Sequence, residues 1–112
     1  MAKKKRKLKS MNEFRYNRHV NHNTYVFGDD GKKYKAVGIT HKETTFGLRN
    51  MPLEINPQKD RTEPAFVRNG IISDTYSAFD KPKKNFSFSI NDFKNVKSKI
   101  RNYKKRTSGR RK

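Results

Sequence analysis

The chain has 112 residues, of which 30% are hydrophobic and 35% charged, and its formal net charge is +19. This length allows a single domain with a small core, and this charge indicates a polyanionic partner such as nucleic acid. An anionic membrane surface fits less well because no apolar face rich enough to insert into a membrane accompanies the charge, and the absence of cysteine excludes disulfides and thiolate metal sites.

The positive charge is concentrated at the two ends of the chain. Residues 1–10 contain six basic and no acidic residues, residues 11–80 contain ten basic and nine acidic ones, and residues 81–112 contain thirteen basic and one acidic. We expect a disordered basic arm over 1–10, a single α+β domain over 11–105 and a basic tail over 106–112. A nuclear-localisation signal has the same lysine- and arginine-rich composition as this arm, so the composition is compatible with that role too.

The first predicted elements are a short helix and a β-hairpin. Apolar side chains at helical spacing predict the helix between Leu8 and Tyr16. Residues 24–28 and 33–39, rich in aromatic and β-branched side chains, flank Asp29-Asp30-Gly31 and predict the hairpin. With the turn at Asp30-Gly31, the pairs on the apolar, inward face are Phe27 with Tyr34 and Tyr25 with Ala36.

Weaker β signals follow the first hairpin. Residues 40–51 mix hydroxyls, charges and glycine, and they predict a loop with at most one helical turn. A second hairpin is predicted around the turn pair Asn69-Gly70. The further strands expected from alternation cover residues 53–55, 65–68, 71–73 and 86–88.

The clearest helical pattern is at the C-terminal end. One face of this predicted helix carries four apolar side chains, three or four residues apart: Phe93, Val96, Ile100 and Tyr103. Ser89, followed three residues later by Asp92, is typical of a capping box at a helix start. We therefore predict an α+β fold: a small antiparallel sheet of four or five short strands, with the C-terminal helix packed on one face.

The predicted nucleic-acid-binding residues are the cations of the two ends, which contact phosphates and carry little sequence preference. They are Lys3, Lys4, Lys5, Arg6, Lys7, Lys94, Lys97, Arg101, Lys104, Lys105, Arg106, Arg110 and Arg111. We favour RNA over DNA as the partner. Exposed aromatic rings could also stack on unpaired bases, and the candidates are Tyr25, Tyr34, Phe46, Tyr76 and Phe79.

An alternative hypothesis is a metal-independent ribonuclease. The segment after the hairpin, Thr40 to Thr45, combines an imidazole that titrates near neutral pH with hydroxyls and a cation. Cleavage of RNA without metal needs a base for the 2′-hydroxyl, an acid for the leaving oxygen and cations for the charged intermediate. The residues proposed for these catalytic roles are His41, Thr40, Thr44, Arg68 and Lys35.

No metal and no cofactor is expected. His19 and His22 have HxxH spacing, but a zinc site needs a third ligand and Glu43 is the only convenient acid. The glycines fall at hairpin and loop positions, so a phosphate-binding glycine loop is not indicated.

Two further expectations concern partners and location. A hypothesis from another class is a basic adaptor in a larger protein or ribonucleoprotein assembly, so a protein partner or an antitoxin is also considered. No apolar run is long enough for a signal-peptide core or a membrane span, and we expect a cytoplasmic protein.

The segments RHVNHNTYVFGDDGKKYKAVGITH, LEINPQKD and NDFKNVKSKIRNYKKR, between Arg18 and Arg106, resemble small basic proteins of phages and conjugative elements. Their mixed layout of helix and antiparallel sheet is similar to that of the barnase/EndoU/colicin/RelE-like ribonucleases. The resemblance implies metal-independent RNA cleavage by His, Lys, Arg, Thr or Tyr side chains, and it is compatible with a toxin. This chain differs from that group because its strong helix is C-terminal and it carries no diagnostic motif.

Overall fold

A computed structural model describes residues 9–109 of the protein, with side chains through residue 102. The main sheet is antiparallel and has the strand order β1-β2-β3-β7-β6, with β8 also paired to β3, while β4 and β5 form a separate hairpin. The α+β class, the antiparallel sheet and the C-terminal helix are confirmed. The elements are β1 (Lys9–Asn17), β2 (His22–Asp29), β3 (Lys33–Thr40), β4 (Thr44–Thr45), β5 (Leu48–Arg49), β6 (Met51–Pro52), β7 (Phe66–Val67), β8 (Ile72–Thr75), a 3-10 turn (Tyr76–Ala78) and α1 (Ile90–Gly109).

The predicted N-terminal helix is wrong, because residues 9–17 form the edge strand β1. Phe14 pairs with Tyr25 of β2, and their ring centroids are 5.3 Å apart. Over so few positions, the spacing of the apolar residues fits both the periodicity of a helix and that of a strand. Pairing with β2 makes this segment a strand. Lys9 and Ser10, predicted within the disordered arm, belong to this strand.

The hairpin of β2 and β3 is confirmed, but its predicted register is wrong. The carboxylate of Asp30 accepts hydrogen bonds from the backbone N–H groups of Lys32 and Lys33, and Gly31 takes the left-handed φ of 95° that the turn requires. Asp29 pairs with Tyr34, so the turn is two residues longer than predicted. A bulge at Phe27 then moves the pairing back by one position and places Tyr25 opposite Val37 instead of Ala36. One extra residue in a strand moves every later partner by one position.

The second predicted hairpin is also wrong. Its strands, β7 and β8, do not pair with each other; β7 pairs with Ile39 and Thr40 of β3, and β8 pairs with residues 33–36 of the same strand. Gly70, at a φ of 91°, turns the chain between them. Residues 53–55 and 86–88 are not strands, although Phe86 makes a single bridge to Gln58, and residues 44–49 form the β4–β5 hairpin instead of a loop.

The main core lies between the sheet and α1. Val96 and Ile100 of the helix are buried against sheet residues that include Tyr25, Val37 and Val67, as the helical pattern predicts. Full burial of an aliphatic side chain stabilises a fold by about 1.5–3 kcal/mol. Phe93 packs at the edge of this core, while the side chain of Tyr103 lies outside the described part of the chain.

The opposite face of the sheet is covered as well, but not by a helix. Val26 and Ala36 pack there against Ala78 and Phe79, which follow β8 in the chain. Phe79 lies edge-on to the ring of Tyr34, with centroids 5.3 Å apart. The 3-10 turn and the residue after it therefore cover the second face, and their backbone reaches the end of β1, where the Arg18 N–H donates to the Ala78 carbonyl at 2.9 Å.

Helix α1 is fixed at its N-terminus by a buried carboxylate. The hydroxyl of Ser89 accepts the backbone N–H of Asp92 at 3.1 Å, as the capping motif predicts. The Asp92 carboxylate, only 2% exposed, accepts the N–H groups of Glu54 and Ile55 at 2.8–3.1 Å. A negative charge in the first turn also suits the helix dipole. Asp92 therefore joins the helix to the loop between β6 and β7.

We expect the substitution Asp92→Ala to lower the free energy of unfolding by about 2–4 kcal/mol, because it removes the charged acceptor of two loop N–H groups and the negative charge at the helix N-terminus. Urea unfolding followed by circular dichroism measures this loss. Asp60→Ala, in an exposed loop, is the matched control and should change stability by less than about 0.5 kcal/mol. Equal effects of the two substitutions would contradict the role given to Asp92.

Candidate nucleic-acid interface

The outer side of α1 carries a basic stripe, formed in the described side chains by Lys94, Lys97 and Arg101. These residues are three and four positions apart, so they share a face that points away from Val96 and Ile100. Lys94 and Arg101 are exposed, and the Lys97 ammonium lies 5.6 Å from the centroid of the Phe93 ring. The stripe therefore presents cations to solvent on a rigid element.

The charge of this stripe is not balanced by acids of the same helix. Helix α1 contains seven basic residues and one acidic residue, Asp92, which is buried and bound to the backbone of residues 54 and 55. Glu54 is the carboxylate that does contact the helix surface, through Asn91 at the N-terminal end. Beyond this first turn, the exposed surface of α1 attracts anions.

An open groove of 1060 Å³ separates α1 from the β4–β5 hairpin. Its helix wall is polar and consists of Asn95, Ser98, Lys99 and Asn102, and Arg49 lies on the hairpin side. Asn69 connects the two walls, because its amide donates to the Arg49 carbonyl at 2.8 Å and its side-chain oxygen accepts from Lys99 at 2.9 Å.

A second group of side chains, here called the sheet-end cluster, combines the two histidines His22 and His41 with the cations Lys42 and Arg68. Burial lowers the pKa of His22 below its ordinary value of 6.5, and the positive charges of Arg68, Lys42 and His41 lower it further. A cluster that disfavours its own protonation favours a bound anion. His22 was not predicted as a site residue, because its place depends on how β2 lies beside β3.

Arg68 reaches this cluster because β3 has a glycine opposite it. The Arg68 N–H donates to the Gly38 carbonyl at 2.9 Å, and a Cβ atom on Gly38 would lie 3.2 Å from Cδ of Arg68. The arginine side chain therefore lies directly over the backbone of β3. An isolated glycine within a strand signals such an approach, and this signal was available in the sequence.

Of the predicted catalytic residues, His41 and Arg68 come together in the cluster. Nδ1 of His41 lies 3.2 Å from the Pro64 carbonyl, which can only accept, so the neutral ring carries its proton on Nδ1 and leaves Nε2 as the acceptor. Thr40 is buried, and its hydroxyl accepts the Lys42 N–H. Thr44 is exposed in β4.

Lys35, the fifth predicted catalytic residue, lies elsewhere. Its ammonium donates to the Ser73 hydroxyl at 3.0 Å and is 3.6 Å from the Asp30 carboxylate. Five positions along a strand correspond to about 16 Å, so Lys35 is at the other end of β3 from Thr40.

The two histidines with HxxH spacing do not share a site. His19 Nδ1 lies 2.9 Å from the carboxylate of Asp74, whereas His22 belongs to the sheet-end cluster. Burial raises the pKa of Asp74, but hydrogen bonds from Thr75, Asn17 and His19 outweigh it and hold this pKa below the ordinary value. Among residues 9–109, no three His, Asp or Glu side chains are grouped as metal ligands.

The aromatic residues predicted to be exposed differ widely. Tyr25 and Phe79 are core residues, with 0% and 6% exposure, so these two predictions are wrong. Tyr34 is half-buried between other rings, and Tyr76 is 40% exposed with its hydroxyl donating to Asp29 at 2.6 Å. Phe46, at the tip of the β4–β5 hairpin, is 93% exposed.

Several predicted phosphate-binding residues cannot be located. Lys3, Lys4, Lys5, Arg6, Lys7, Arg110 and Arg111 lie outside the described residues, as do the side chains of Lys104, Lys105 and Arg106. Their role stays a prediction.

No family model, curated protein or solved structure matches this chain. The resemblance to phage and conjugative-element proteins and to metal-independent ribonucleases therefore stays a prediction. In the part of the chain that the structure describes, no helix is both long and apolar enough to cross a membrane.

We expect His22 of the free protein to titrate below 6.5, and its pKa to rise when phosphate ions bind, because an anion stabilises the imidazolium. Since the unfolded chain takes up this proton more readily, stability is retained above about 6.5 and lost as the pH falls through the folded pKa. Imidazole C–H resonances followed against pH, with and without phosphate, measure both effects. A free pKa at or above 6.5 would show that the cluster does not act on His22.

Proposed function

We propose that the protein binds single-stranded nucleic acid, with RNA favoured over DNA, chiefly through phosphate contacts. The observation that carries this proposal is the basic stripe of α1, whose single acidic neighbour on the helix, Asp92, is buried and used by the fold. Each phosphate that such cations neutralise releases condensed counterions, which gives affinity without sequence preference.

The arrangement of elements favours a single strand over a duplex. Residues 9–109 contain one α-helix, so the two-helix docking of a helix-turn-helix protein is not available in this part of the chain. The groove beside α1 combines amides, a hydroxyl and cations, which suits a flexible strand whose base edges are accessible.

Replacing Lys94, Lys97 and Arg101 together by Gln should weaken RNA binding and make it less dependent on salt. For single strands, three lost phosphate contacts reduce the slope of log K against log salt by about 2. Fluorescence anisotropy with one labelled RNA and with the DNA of the same sequence, over a range of salt, measures the slope and the preference.

The matched control is the triple replacement of Lys32, Lys33 and Lys59 by Gln. It removes the same charge from exposed positions outside α1 and should leave the slope nearly unchanged. Equal losses in the two triple variants would mean that net charge, not the stripe, binds RNA. Absence of any RNA binding at low salt would end the proposal.

A second candidate function is metal-independent ribonuclease activity, and the sheet-end cluster favours it. His22 is neutral near pH 7 because its pKa is lowered, so it can take the proton of a 2′-hydroxyl as that oxygen attacks phosphorus. His41, when protonated, can give a proton to the leaving 5′-oxygen, with Arg68 and Lys42 beside the phosphate. The products are a 2′,3′-cyclic phosphate and a 5′-hydroxyl.

We expect this activity, if the cluster supplies it, to persist in EDTA and to be lost in both His22→Gln and His41→Gln. RNA incubated with each purified variant and resolved by length and end group provides the measurement. His19→Gln is the control, because that ring is bound to Asp74 outside the cluster. If RNA stays intact with the wild-type protein, the ribonuclease hypothesis is wrong, and nucleic-acid binding remains as the one proposed function.

A further inference from the structure

The tip of the β4–β5 hairpin holds a phenylalanine in a conformation that phenylalanine rarely adopts. Phe46 and Gly47 form the two-residue turn, with φ values of 52° and 78°. Hairpin turns of this kind favour Asn, Asp or Gly at the first position, because a bulky side chain is disfavoured in the left-handed region. Asn21, the other non-glycine residue with positive φ in the described part of the chain, is of the favoured type.

Packing does not compensate for this strain. The Phe46 side chain is 93% exposed, and Leu48 on the following strand is 61% exposed. Because no packing contact of the Phe46 ring offsets the strained backbone, the conformation indicates that the ring has a role other than stabilising the fold.

The hairpin that carries Phe46 is held firmly at its base. Asn50 is only 4% exposed, and its side-chain amide donates to the Lys42 carbonyl at 3.0 Å and to the Thr45 hydroxyl at 2.8 Å. Its backbone N–H donates to the backbone carbonyl of Glu43 at 2.9 Å. On the same side of the hairpin as Asn50, the carbonyl of Arg49 accepts from the side-chain amide of Asn69. The ring is therefore displayed on a rigid element.

The surroundings of the ring combine cations with polar and apolar groups. Lys42 and Arg49 are exposed on the two sides of the hairpin, and the groove toward α1 is lined by Leu48, Met51 and Pro52 on the sheet side and by Asn95, Ser98, Lys99 and Asn102 on the helix. An exposed aromatic ring on an element that also carries cations is the combination that holds an unpaired base together with its flanking phosphates. An apolar protein surface would instead have to desolvate these charges without replacing their hydration.

We propose that Phe46 is a stacking residue for an unpaired base of the bound strand, with Arg49 and Lys42 holding the adjacent phosphates. This inference rests on the proposed function and gives it a specific contact. It makes the hairpin the part of the protein that distinguishes single strands from duplexes, since the faces of bases within a duplex are covered by the neighbouring base pairs.

The test uses the full chain and two substitutions. Phe46→Asn removes the ring but keeps a residue suited to the left-handed turn, and Phe46→Tyr keeps an aromatic ring. The probes are a labelled single-stranded RNA, an RNA of the same length with abasic positions throughout, and an RNA duplex. Fluorescence anisotropy gives the affinity of each protein variant for each probe, and thermal unfolding checks that the variants fold.

We expect Phe46→Asn to weaken binding of the single strand by about 5- to 100-fold, with an unchanged salt slope. Binding of the abasic RNA and of the duplex should change by less than twofold, and Phe46→Tyr should bind like the wild type. The midpoint of thermal unfolding should not fall in Phe46→Asn.

An unchanged affinity of Phe46→Asn for the single strand would overturn the inference, as would an equal loss on abasic RNA. If the wild-type protein still binds RNA with a steep salt dependence, only the stacking contact fails. A wild-type protein that binds none of the three probes would overturn the proposed function as well.

Discussion

The position of α1 depends on the buried carboxylate of Asp92. A helix with one apolar stripe is not stable alone in water, and its place on the sheet is fixed by the contacts at its N-terminus and by Val96 and Ile100. The same contacts determine the electrostatics of the surface, because the one acid of the helix is turned inward. The side chain of Asp92 therefore affects both the position of α1 and the positive charge of its exposed surface.

This link gives the two faces of the helix different roles. The inner face closes the aromatic core, whereas the outer face presents Lys94, Lys97 and Arg101 on a scaffold that is already ordered. Preorganised cations bind an anion without the entropic cost of fixing long loops. The sheet-end cluster and the β4–β5 hairpin, at the end of β3, extend the cationic surface beyond the helix.

The sequence predicted the elements whose signals are local. The turn at Asp30-Gly31, the cap at Ser89 and the stripe of Val96 and Ile100 depend on residues within a few positions of one another. The edge strand β1 was mistaken for a helix because its conformation is set by β2. The register of β2 and β3 was missed because the turn is two residues longer than Asp30-Gly31 alone indicates and is followed by a bulge at Phe27, and neither feature leaves a composition signal.

The candidate site was predictable in part for the same reason. His41 and Arg68 could be named from their residue types, but the presence of His22 beside them follows from strand order in the sheet. Lys35 was wrongly grouped with them because nearness in sequence does not give nearness along an extended strand. Phe46 was among five aromatic candidates, and only burial and backbone conformation separate it from Tyr25 and Phe79.

The most direct test of the account is a map of backbone amide chemical shifts during titration with a short single-stranded RNA at low salt. We expect the largest changes at residues 94–102 of α1 and at residues 42–49 of the hairpin, with little change near Asp29 and Tyr76 on the far side of the sheet. Changes confined to the Asp29–Tyr76 region, or no changes at saturating RNA, would contradict it.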